Sequence, residues 1–136
     1  MSHELALQKA LIAHLGEDAG LRVLLGEPPR IWDAPPDRPT CPYLLIGRSE
    51  SRPVGAAGCG IEHGLTLTVV SRFRGTEEAK AVLAALRLAL TDAALGADGV
   101  RTISIRPGFA DVYPAADRVR TFAVLRVRAV TEEEQS

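Results

Sequence analysis

The chain has 136 residues, with 16 Lys+Arg against 17 Asp+Glu and a formal net charge of −1. That length suits one domain, and 46% hydrophobic against 24% charged residues is too apolar for a disordered chain. So even a balance gives no long-range field for DNA, RNA or an anionic membrane, and any basic site has to be local.

Residues 2–15 place Leu7, Ala10, Leu11 and Leu15 on one helical face, with Gly16 positioned to end the helix. Glu17-Asp18 offers a cap and favourable charge to a second short helix, with Leu21, Leu24 and Leu25 inward and Gly26 and Pro28-Pro29 as its stop. Prolines at 28, 29, 35, 36, 39 and 42 then leave room only for a short strand at Arg30-Ile31-Trp32. Tyr43-Leu44-Leu45-Ile46 starts a strand that continues toward Ser51 until Pro53. The following residues lack periodicity and large side chains, which predicts a mobile loop over about 52–60.

Strict alternation of Ile61, His63, Leu65, Leu67, Val69, Ser71 and Phe73 with mostly polar residues predicts a long half-buried strand. Thr76 and the carboxylates of Glu77 and Glu78 then open an amphipathic helix, with Ala79, Val82, Leu83, Leu86, Leu90 and Ala93 inward and its end near Gly96. Asp98-Gly99 turns the chain into a strand over 100–106, where Ile103 and Ile105 share a face until Pro107-Gly108 stops it. A final strand over 118–130 sets Val119, Ala123, Leu125, Val127 and Ala129 against a face of Arg118, Arg120, Phe122, Val124, Arg126 and Arg128. The polar tail 131–136 is expected to fray. The expected fold class is α+β in the order α-α-β-β-β-α-β-β. It is a single domain with a mainly antiparallel sheet of about four to five strands and the helices packed on one face.

The longest apolar runs, such as Ala79 to Leu90, are interrupted by charged residues such as Arg87 and fall short of the roughly 20 residues a spanning helix needs, so no membrane segment is expected. Met1-Ser2-His3-Glu4 lacks a basic start and no cleavage signal follows, which suggests cytosolic residence. Cys41 and Cys59 are read as free thiols.

Phosphate-binding, nucleophile-elbow and metalloprotease motifs do not occur in the sequence. Gly55, Gly58 and Gly60 open no helix and read as a flexible loop rather than an anion cradle. Cys41, Cys59 and His63 fall one ligand short of structural zinc, and His63 reads instead as a hydrogen-bonded strand histidine on the buried face. Asp111, Asp117 and Glu132-Glu133-Glu134 show no catalytic spacing. No catalytic residue, cofactor or metal is assigned. The arginine-rich face of the last strand is the one unusual feature, and its Arg-plus-apolar composition suits a protein interface. Solvated or locally paired arginines, or contact with DNA phosphates, are the other readings of that face.

The run Asp18 to Gly26, then Arg30-Ile31-Trp32-Asp33-Ala34-Pro35 and Cys41-Pro42-Tyr43-Leu44-Leu45-Ile46-Gly47, is followed by Leu65 to Arg72 and Gly75-Thr76-Glu77-Glu78-Ala79. This succession, over roughly Leu5 to Val130, resembles the tail terminator, or tail-completion and head-tail joining, proteins of long-tailed phages and gene transfer agents. The resemblance implies a non-catalytic ring, usually a hexamer, at the head-proximal end of the tail. Such a ring halts tail-tube polymerisation, meets the head connector and lets DNA pass without sequence-specific binding. It also implies assembly in the bacterial cytoplasm and then residence in a phage-like particle, with no membrane partner.

A ring needs two different patches on each subunit. The candidates are the face bearing Arg118, Arg120, Phe122, Arg126 and Arg128 and an arm over residues 48–60 that includes Arg48 and Arg52. A head-tail adaptor or stopper of the same particle, and a cytosolic ligand-binding α+β protein with a deep polar pocket, are the rival readings.

Overall fold

The computed structural model describes residues 2–55, 60–72 and 74–134. In chain order the elements are α1 (His3–Gly16), α2 (Ala19–Leu25), β1 (Ile31–Trp32), β2 (Tyr43–Val54), β3 (Gly60–Ser71), α3 (Glu77–Leu90), β4 (Gly96–Ala97), β5 (Val100–Pro114) and β6 (Thr121–Glu133). The strands form one sheet in the order β1-β2-β3-β6-β5-β4, parallel only between β1 and β2. The α+β class and the mainly antiparallel sheet therefore hold. The expected four to five strands become six, because Gly96 and Ala97 pair with Arg101 and Val100 as an extra edge ribbon.

β3 and β6 are the central pair and run in unbroken register from Gly60 opposite Glu132 to Ser71 opposite Thr121. Their odd-numbered residues from 63 to 71 and from 121 to 129 face each other in the core, and all are buried. Leu7, Leu11 and Leu15 of α1, Leu21 and Leu25 of α2, and Val82, Leu86 and Leu90 of α3 cover that face in a single apolar cluster. The even-numbered face of β3 and β6 carries no residue of that cluster.

Helix ends follow local chemistry. Ser2 Oγ accepts the Leu5 N–H, the Asp18 carboxylate accepts that of Leu21, and Gly26 at φ 91° ends α2. Thr76 sits at the N-cap of α3 without a side-chain cap bond. Glu78 in the first turn instead accepts from Ser71 Oγ at 2.7 Å. α3 ends at Leu90 rather than near Gly96, because Thr91 Oγ1 donates to the Arg87 carbonyl at 2.7 Å and Asp92 turns the chain at φ 56°.

Three strand expectations need correction. β2 continues through Pro53 to Val54, which pairs with Gly60, so 52–54 and 60 are hairpin strand rather than irregular loop, while 56–59 with Cys59 lie outside the described residues. Pro53 is tolerated because β1 covers β2 only at Leu44 and Leu45, leaving this stretch at the sheet edge. β5 passes through Pro107-Gly108 by means of a bulge, and a second bulge beside Thr102 leaves Ile105 buried but Ile103 59% exposed. Thr131, Glu132 and Glu133 do not fray as a tail; they pair with Thr102, Arg101 and Val100.

Thr131 also closes a polar cluster inside the core. Its Oγ1 lies 2.8 Å from both His63 Nε2 and His3 Nδ1, and Ser51 Oγ donates to Glu4 Oε2 at 2.6 Å nearby. One hydroxyl can accept from one imidazole and donate to the other, an arrangement in which the accepting ring is neutral. His63 is thus a buried, hydrogen-bonded strand histidine, with Nδ1 unpartnered among the described residues.

Two outcomes test this packing. Leu125→Ala should destabilise the fold by about 2–5 kcal/mol in denaturant melts, because the central pair and the helices cannot both collapse onto the cavity. Burial holds the His63 imidazole below its usual value of 6.5, so the unfolded chain takes up that proton first. Its contribution is full above that value and declines as pH falls below it. The Ser51 hydrogen bond, as the first cause, lowers the Glu4 carboxyl, and this stabilisation is also lost on acidification. The melting temperature should fall from pH 7 toward pH 5, and His63→Leu should flatten the decline.

Candidate functional site

Leaving one sheet face without helices gives the sequence-selected arginines a common surface, but they occupy it in different ways. Arg126 and Arg128 stand on the even face of β6, exposed, opposite Thr66 and Gly64 of β3. Phe122 lies on the same face, with the Tyr113 ring edge-on at 5.7 Å. Arg52 faces its cross-strand neighbour Glu62 in an ion pair of 2.9 Å, and Arg48, in the β2 bulge, holds Glu50 at 3.0 Å. Exposed pairs of this kind contribute little to stability.

Arg118 and Arg120 are not strand residues. Arg118 turns at φ 57° in the connection between β5 and β6, and Val119, expected on the buried face, is 50% exposed there. Asp117 organises this turn. Its carboxylate accepts the Val119 and Arg120 backbone N–H groups and the Arg120 side chain at 2.9–3.1 Å, which lowers its pKa to about 2. The Arg120 guanidinium, so anchored, lies 5.5 Å from the Phe122 ring centroid.

Two concavities result. At the end of the sheet, Arg72, Arg74, Thr76, Arg118 and Arg120 line an open groove of about 830 Å³. On the helix-free face, Gly64, Arg106, Phe109, Arg126 and Arg128 line one of about 450 Å³. Arg106 was not among the sequence candidates, although its alternation with Ile105 already put it on the outward face. Its register partner is Arg128, so two guanidinium groups stand directly opposite one another.

No group of three or more His, Cys, Asp or Glu residues is placed to hold a metal among the described residues. Cys41 is two residues before Tyr43, which pairs with Val70, whereas His63 lies seven residues, about 23 Å, further along β3. The two cannot share a metal ion. Burial raises the Cys41 thiol above its usual value and leaves it protonated at neutral pH, the opposite of an activated nucleophile. No helix among the described residues is long and apolar enough to cross a membrane.

Asp117→Ala should lower the melting temperature by freeing the turn and Arg120. Because this carboxylate titrates at about 2 against an ordinary 3.8, the loss should be the same at pH 5 and pH 7 and should shrink as pH falls from 3.8 toward 2.

Comparison with known proteins adds two findings. The family described as "Tail completion protein gp17" matches residues 9–132. A chain from a solved structure described as "Virion of native gene transfer agent (GTA) particle" superposes with a TM-score of 0.85 at 28% identity, covering 96% of this chain and 99% of that one. None of the curated proteins matches. With nearly all its elements inside the matched span, this chain belongs to the tail completion protein gp17 family.

Proposed function

We propose that the chain acts as a single domain that assembles into a ring, a hexamer in the form the resemblance implies, at the head-proximal end of a phage-like tail. There it stops tail-tube polymerisation and joins the tail to the head connector or stopper, and DNA passes through the lumen. The role is structural and non-catalytic, and assembly takes place in the bacterial cytoplasm. The observation that carries this reading is the near-complete correspondence, 99% of the other chain, with a component of a gene transfer agent virion.

The sheet edges fit head-to-tail closure. β1 pairs with β2 only at Leu44 and Leu45, and β4 with β5 only at Val100 and Arg101, so long stretches of both outer strands remain without a paired strand among the described residues. The two edges differ, as a closed ring of identical subunits requires of its two contacts. Arg48, Glu50, Arg52 and Pro53 on one and Arg106, Pro107 and Asp111 on the other guard against indiscriminate pairing. In this reading Arg48 and Arg52 belong to one contact, and Arg118, Arg120 and Phe122 extend the surface offered to the neighbour or the tube.

Electron microscopy of particles from a host lacking this gene tests the assignment. Overlong tails without heads are expected. Tails of normal length without heads would move the chain to an adaptor or stopper ring, and normal tails joined to heads would overturn the reading.

A further inference from the structure

On the helix-free face, Arg106 and Arg128 are register partners, and Arg126 stands two residues from Arg128 on the same side of β6. Like charges directly opposite one another in a sheet destabilise it. Three nearby carboxylates are already engaged: Glu50, opposite Gly64, with Arg48 at 3.0 Å, Glu62 with Arg52 at 2.9 Å and Glu132 with Arg101 at 2.7 Å. Asp111, opposite Val124, is the remaining acid on this part of the face. None of Arg106, Arg126 and Arg128 has an ion-pair partner among the described residues. The fold therefore holds an uncompensated cluster of three cations that its own packing does not use.

Gly64, opposite Arg128, adds an independent observation. A Cβ built there meets nothing within 4 Å, and its backbone needs no positive φ, so neither packing nor backbone conformation calls for glycine. Glycine inside a strand weakens the sheet and marks places where a ligand or another backbone comes close. Thr66 and Thr68 continue the β3 row beside it. A cationic row bordered by small hydroxyl side chains suits phosphate contact, and Phe109, 69% exposed in the same concavity, is the apolar neighbour that an acidic protein partner would use instead.

We propose that Arg106, Arg126 and Arg128 around Gly64 form a sequence-independent contact for the phosphate backbone of double-stranded DNA. The proposal rests on the reading of the chain as a tail-completion ring through which DNA passes. It adds to that reading the residues and the face that meet the nucleic acid. Arginine is suited to the task because its fork can engage phosphate oxygens in pairs while a balanced net charge keeps the contact weak enough for passage.

Fluorescence anisotropy of the purified full chain with a short labelled DNA duplex tests it. Binding should weaken with salt, with a log–log slope of about −3 for three phosphate contacts. Arg106→Gln, Arg126→Gln and Arg128→Gln should each weaken binding several-fold and reduce the slope by about 1. Arg22→Gln, on the helix layer, should not. Arg128→Gln should keep or raise the melting temperature, because it removes a like-charge opposition. Gly64→Val leaves every charge in place, and it should fold normally and also weaken binding.

Absence of duplex binding at low salt, unchanged binding by the triple variant, or equal or preferred binding of polyglutamate would overturn the proposal. Particles carrying the triple variant should keep normal tails joined to heads while delivering less DNA. Overlong or headless tails in that variant would make the face an assembly contact and overturn it too. Failure of the tail-termination reading shows separately, as normal tails in the gene deletion with duplex binding intact.

Discussion

The uninterrupted pairing of β3 with β6 is the constraint on which the rest of the molecule depends. A slip of one residue would turn Leu65, Leu67 and Val69 outward and carry the arginines into the core, so the hydrophobic pattern of both strands enforces one register. That register has two consequences at once. It presents a continuous apolar floor to the three helices, and it aligns Arg126 and Arg128 on the side the helices leave bare. Core and surface are therefore not separate achievements of the sequence; the same alternation produces both.

Much of this was legible from period alone. The inward residues of α1 and α2, those of β3 from His63 to Ser71, and the alternation of β6 beyond Thr121 follow from side-chain spacing and are found as read, while Phe73 lies outside the described residues. Tertiary pairing decided the remainder. Pro53 and Pro107-Gly108 look like stops, yet an edge position and a bulge accommodate them because no inner ladder bond is lost there. Thr131 to Glu133 look like a polar tail, but β5 supplies the partner strand that retains them. Neither fact can be seen in a local window.

The candidate surface was legible to a similar degree. Arg126, Arg128 and Phe122 could be placed on the outward face of a strand from alternation. The departure of Arg118 and Arg120 into a turn depended on Asp117, whose carboxylate gathers three donors and ends the strand's run toward the N-terminus. Arg106 escaped notice because its significance lies in what it opposes. A charge on one strand becomes informative only when the register shows another of the same sign across from it.

The bond between His3 and Thr131 has a geometric consequence of its own. His3 Nε2 lies 4.0 Å from Glu133 Oε1, so the first helix and the last strand meet at one corner of the sheet. The Asp117 turn lies at the far end of β6, 12 residues or about 40 Å away. Anything attached before His3 or after Glu133 departs from the same corner. A tag or fused partner at either end would crowd that rim while leaving the groove of Arg72, Arg74, Arg118 and Arg120 open. The two ends of the molecule can thus be engineered independently of one another.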